Sequence, residues 1–136
     1  AGAKYAQQPG AAFAAADVTV TDALDGLAMD LAPADGSVPG LGRYRRSVHL
    51  TDTGLTLCDE TDYPGTVALT LMSVEKPAIS GACVHLGTLA EVKTDGAAKI
   101  LVESVPITDA RLRQAWPDTL YRTRVYFCGT LSVEVW

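Results

Sequence analysis

With 136 residues, 48% of them apolar, the chain has the size for one domain with its own core and is too hydrophobic for a disordered segment. Its 11 basic and 16 acidic side chains give a net charge of −5, which excludes the concentrated basic surface of a nucleic-acid module; the single basic cluster, Arg43-Tyr44-Arg45-Arg46, is short and has acidic neighbours. Charge interrupts every apolar run well short of the roughly 20 residues that span a bilayer, and no basic stretch followed by an apolar one opens the sequence as a secretory signal would. Neither nucleic acid nor membrane is therefore an expected partner.

Residues 1–15, rich in Ala, Gly and Gln, read as a tether or the tail of a preceding element, and residues 16–136 as one domain. The alternation of apolar and polar residues predicts strands over Ala16–Thr21, Gly26–Ala32, Tyr44–Thr51, Leu55–Glu60 and Thr66–Val74, with a loop over Asp35–Gly42. Further strands are predicted over Ala82–Leu86, Ala90–Lys93, Lys99–Val105, Leu120–Phe127 and Thr130–Val135. Asp25-Gly26, Thr53-Gly54, Asp95-Gly96 and Cys128-Gly129 are the turn signals between them. One helical turn is expected over Thr108–Ala115, capped by Thr108 or Asp109 and stopped by Trp116-Pro117. Strands this short and frequent predict an all-β fold, an antiparallel β-sandwich of about ten strands. Thr66–Val74 is apolar at Met72 and Val74 as well as at Val67, Leu69 and Leu71, as if buried on both sides, whereas Leu131, Val133 and Val135 mark a half-buried strand.

Chemistry has few candidates. His49 alternates with Arg43, Arg45 and Ser47 on the polar side of its strand and reads as a surface histidine. Cys83 and His85 share a strand face, but two ligands do not make a zinc site and no second pair accompanies them. Cys58, Cys83 and Cys128 sit in apolar company, which reads as unpaired buried thiols and points to a reducing compartment. No nucleophile elbow and no phosphate-binding glycine loop occur. Asp59, Glu60 and Asp62 could hold calcium or a sugar hydroxyl, and serve more simply to close a strand. Arg46 falls on the apolar side of its strand with Tyr44, Val48 and Leu50, so it needs a carboxylate, with Asp30 or Asp59 as the candidates. Arg122 and Arg124, on one face with Tyr126 and near Trp116 and Tyr121, are candidates for an aromatic and basic sugar-contact surface. No catalytic residue, metal site or cofactor is expected.

Four stretches in order resemble a known family. Gln8-Pro9-Gly10 with Ala14-Ala15-Ala16-Asp17-Val18, and then Asp25-Gly26-Leu27-Ala28-Met29-Asp30-Leu31-Ala32, are similar to the opening strands of the C-terminal β-sandwich region of heparinase II/III-like proteins. Arg43–Leu50 followed by Leu55-Thr56-Leu57-Cys58-Asp59-Glu60 resembles that region's Arg-rich strand and its successor. Pro106-Ile107-Thr108-Asp109, Leu112, Trp116 and Leu120-Tyr121-Arg122 resemble its late segment. The chain departs at Ala34-Asp35-Gly36, where the family often places a tyrosine after Asp-Leu-Ala-x-Ala. The resemblance implies a polysaccharide lyase that cleaves uronic-acid-containing polymers by β-elimination. It also implies an upstream α/α toroid and an earlier sandwich segment of the same protein as partners, with acidic polysaccharide as ligand. The family's Tyr, His and His-x-His…Asp…Asn positions lie in those earlier parts, so no catalytic residue carries over to this chain. The alternative expectation is a stand-alone carbohydrate-binding module using Trp116, Tyr121, Arg122 and Arg124, or a structural and adhesive domain.

Overall fold

The computed structural model describes residues 10–11, 14–34 and 38–136; most of the tether expected at 1–15, and Asp35–Ser37 of the expected loop, lie outside the described residues. The strands are β1 (Ala16–Val20), β2 (Gly26–Asp30), β3 (Tyr44–Thr51), β4 (Gly54–Thr61), β5 (Val67–Ser73), β6 (Ala78–Ser80), β7 (Cys83–His85), β8 (Glu91–Pro106) and β9 (Thr119–Val135). All pairings are antiparallel, in the order β1-β2-β3-β4-β9-β8-β7-β6, with β5 off this path on β9.

The all-β sandwich is formed by bending one sheet. β9 pairs with β4 through Thr130–Val135 and with β5 through Tyr121–Phe127, while β8 follows it along both stretches. The large layer thus holds β1–β4, the end of β9, the start of β8, β7 and β6; the small layer holds β5, the start of β9 and the end of β8. Two irregularities make the crease. Gly129 adopts φ 74°, and β8 loses register between Asp95 and Lys99 around Gly96 at φ 88°. A Cβ on Gly96 would lie 2.4 Å from the carbonyl oxygen of Thr130, so only glycine fits.

These two glycines correct the expected strand count. Asp95-Gly96 and Cys128-Gly129 are bulges inside continuous strands rather than chain reversals, which fuses four expected strands into two. The short β6 is an addition that the pattern did not predict. Nine strands result among the described residues.

The core forms between the layers. Val84, Val92, Leu131, Val133 and Tyr44 of the large layer meet Leu69, Val125 and Phe127 of the small one. Burial of each such aliphatic or aromatic side chain stabilises by about 1.5–3 kcal/mol. β5 faces this core with one side only: Leu69 is buried, whereas Met72 and Val74 are exposed, against the expectation of burial on both sides. Between β8 and β9 the expected helical turn is a short 3-10 turn, Leu112–Gln114. Asp109 Oδ1 accepts from the N–H groups of Arg111 (2.8 Å) and Leu112 (3.1 Å), and Trp116-Pro117 follows.

The small layer is narrower than the large one. β5 and β4 flank β9 on the same side, opposite β8; the small layer stops at β5, and the large layer goes on through β3, β2 and β1. Along that overhang, past Tyr44, which is buried in the core, the inner face stays apolar but is not covered by the described residues: Val20 is 57% exposed, Leu24 78% and Leu50 54%, with Val18 and Leu27 exposed beside them.

Candidate functional site

On the outward face of the small layer, strand alternation lines up Leu120, Arg122, Arg124 and Tyr126 on β9. Cross-strand register sets Glu103 of β8 and Met72 of β5 on either side of Arg122. Glu103 Oε2 accepts from Arg122 Nε at 2.9 Å and lies 3.2 Å from a terminal nitrogen of Arg124, so one carboxylate bridges two guanidiniums. Arg124 also donates to the Tyr126 hydroxyl at 3.2 Å; this bond, then the charge of Glu103, raises its pKa. Trp116 lies at the end of this row, half-exposed, and with Met72, Ser73, Val74 and Leu120 lines a shallow hollow of about 320 Å³.

Of the four residues expected to contact sugar, Trp116, Arg122 and Arg124 therefore share one surface. Tyr121 does not: it stands on the opposite side of β9 with Thr123, Val125 and Phe127. Tyr126 lies on this face as the sequence suggested; Glu103 and Met72 are the members that the expected set lacked. Glu103 lies 19 residues from Arg122 in sequence and comes within reach only through the β8–β9 register.

A second cluster sits on the inner face of β3 and β4. Asp59 is fully buried and takes both Arg46 Nε and a terminal nitrogen at 2.7 Å, a bidentate pair, while the Tyr44 hydroxyl donates to Oδ2 at 2.9 Å. Burial, then the charge of Asp59, raises the Tyr44 pKa, and the hydrogen bonds from Arg46 to Asp59 raise that of the guanidinium. Of the two carboxylates expected for Arg46, Asp59 is the partner. Asp30 instead accepts from the backbone N–H groups of Ala32 and Tyr44, each at 3.0 Å, and ties β2 to β3. The Arg46 guanidinium also lies 5.9 Å from the Tyr44 ring centroid, within cation–π range.

The remaining candidates are dispersed. Asp62 accepts from Arg43 and Gly42 N–H groups at 2.9 Å each, which holds its carboxyl below the usual range; Glu60 is exposed on the outer face, so the three carboxylates 59, 60 and 62 diverge. His49 lies 3.8 Å from Asp25, whose pKa is lowered mainly by the Thr21 hydroxyl. His85 lies 3.1 Å from Glu91. The strands that carry the two histidines, β3 and β7, are separated by β4, β9 and β8. Among the described residues no three His, Cys, Asp or Glu side chains gather as a metal would require. The cysteines differ from expectation: Cys58 and Cys83 are only half-buried and Cys128 is exposed, because each points away from the core while its strand neighbours, such as Val84 and Phe127, fill it. Among the described residues no helix is long and apolar enough to cross a membrane.

No protein-family model matches the chain, and no curated protein matches it.

Proposed function

We propose that the chain is the non-catalytic C-terminal β-sandwich part of a heparinase II/III-like polysaccharide lyase. It packs against the toroid and the earlier sandwich segment of the same polypeptide, and β-elimination takes place in those upstream parts. The order of the four resembling stretches supports this reading. One observation carries it: Val18, Val20, Leu24, Leu27 and Leu50 form an apolar inner face with no second layer above it among the described residues. Soluble domains do not leave so broad an apolar surface to water unless something covers it. The divergent carboxylates and the separated histidines offer no acid and base converging on one bond.

The test is cleavage of a uronic-acid-containing polysaccharide, followed by the ultraviolet absorbance of the unsaturated uronate product. Residues 1–136 alone give no signal, and the polypeptide that includes the upstream coding sequence gives one. Cleavage by residues 1–136 alone, or an upstream sequence lacking a helical toroid and a His-x-His segment, sinks the proposal.

A second reading, a stand-alone module that grips acidic saccharide, is favoured by the shared outward face of Trp116, Arg122 and Arg124. Glu103 weighs against it, since its carboxylate already occupies both guanidiniums. Titration calorimetry of residues 1–136 with an acidic oligosaccharide gives heat under the second reading and none under the first.

A further inference from the structure

The small layer has an electrostatic character of its own. Residues 97–128 hold five basic and three acidic side chains, and β5 has no charge, so this part of a chain of net charge −5 is itself positive. Its outward face leaves that positive charge half-compensated. Arg122 Nε (2.9 Å), a terminal nitrogen of Arg122 (2.8 Å) and a terminal nitrogen of Arg124 (3.2 Å) all approach the same oxygen, Glu103 Oε2. Two guanidiniums thus share one oxygen of one carboxylate, and neither is held in the two-oxygen fork that arginine and carboxylate favour. Arg46, which takes both oxygens of Asp59 at 2.7 Å, shows the saturated arrangement in the same molecule. A dissolved anion can reach the pair, since Arg122 and Arg124 keep 38% and 31% of their side chains exposed.

The hollow beside them has the opposite character. Register sets Met72 against Arg122, and Leu120 lies one strand repeat, roughly 7 Å, along the same face. With Val74 and the half-exposed Trp116 these side chains wall about 320 Å³, at the small end of the range for ligand pockets. Among the described residues that line it, the polar side-chain groups are the Trp116 indole N–H and the Ser73 hydroxyl. The hydroxyl already donates to the Glu75 carbonyl at 2.8 Å. A sugar ring placed there would lose water from its hydroxyls without gaining partners, whereas an aromatic or hydrocarbon ring has nothing polar to desolvate. An indole and a thioether are favourable walls for such a ring.

We propose that this face binds a small carboxylate carried on an apolar ring, with the ring in the hollow against Trp116 and Met72 and the carboxylate on Arg122 and Arg124. Glu103 is its competitor. It aligns the two guanidiniums when the site is empty and gives up Arg124, its longer contact, to the incoming carboxylate. The apolar ring separates this inference from the acidic-saccharide reading, and the site does not depend on the parentage.

Proton–nitrogen NMR spectra of residues 1–136, titrated with 3-phenylpropionate, test the proposal. Its uncharged analogue 3-phenylpropanol, and glucuronate as an acid on a hydroxylated ring, serve as the comparison ligands. Phenylpropionate shifts the Trp116 indole signal and the Arg122 and Arg124 Nε–H signals together, with a Kd on the order of millimolar for a ligand of this size. The alcohol and glucuronate each bind more weakly by roughly tenfold or more. Glu103→Gln removes the competitor and tightens phenylpropionate by roughly threefold to tenfold, and Arg124→Gln weakens it by roughly tenfold. Unchanged backbone signals of Val125 and Phe127 show that each variant is folded. Absence of a Trp116 shift in the natural chain at about 20 mM phenylpropionate, well above the Kd expected for its size, overturns the proposal. So does weaker binding by a folded Glu103→Gln. Glucuronate binding more tightly than phenylpropionate also overturns it and gives the surface to saccharide.

Discussion

The large layer carries one apolar face across its whole width, but its two halves differ in what lies above them. Under the small layer, Val84, Val92, Leu131 and Val133 are sealed from water; on the overhang, Val20, Leu24 and Leu50 have more than half their surface in it. The strands of both halves have the same alternation, so pattern alone marks which side seeks cover and not whether cover is present. The fold's stability is therefore concentrated in β4, β5, β7, β8 and β9, with β1 and β2 held by hydrogen bonds and little packing.

The largest expected contrast comes from the buried ion pair at the border of the covered half. Asp59→Ala leaves the Arg46 guanidinium without its carboxylate and the Tyr44 hydroxyl without its acceptor, a loss of about 3–5 kcal/mol in denaturant unfolding. Because a quarter of the Arg46 side chain still reaches solvent, the lower end of that range is expected. Stability unchanged within about 1 kcal/mol would mean that this half is not the anchor.

A smaller effect comes from Tyr44, through pH. Its folded-state pKa stands above the ordinary value of 10.0, so its contribution is complete below about pH 10 and is lost as pH rises through the folded value. Tyr44→Phe costs about 1 kcal/mol at neutral pH, for the lost hydrogen bond to Asp59. The variant also loses less stability than the natural chain between about pH 10 and pH 12, because it lacks the phenol whose ionisation in the unfolded chain favours unfolding there. Parallel alkaline melting curves for the two proteins would remove Tyr44 from the account.

The smallest effect belongs to the overhang. Val20→Ser changes the stability of residues 1–136 by about 0.5 kcal/mol or less, since its side chain already meets water. A loss of several kcal/mol by the same measurement would show that this surface is covered in residues 1–136 themselves, and would erase the difference between the halves.

Much of this was legible in the sequence. The alternation across Tyr44–Leu50 turned Arg46 inward and called for a carboxylate, and Asp59 supplies it across the β3–β4 register. What escaped was geometry that one signal leaves ambiguous. An Asp-Gly or Cys-Gly pair with positive φ serves a chain reversal and a bulge equally well, and only the crease between the layers decides between them. In the candidate sugar surface, Tyr121 is adjacent to Arg122 in sequence and so faces the other side of the strand, while Glu103 joins from a distant residue number. Closeness along a strand separates side chains; register across strands brings them together.

The crease itself has a mechanical consequence. β8 and β9 run unbroken from one layer into the other, so no linker joins the two. Because the two layers share both strands, they are expected to melt together, as a single transition in thermal unfolding, rather than one after the other. The passage of both strands from one layer to the other falls at two glycines, Gly96 and Gly129.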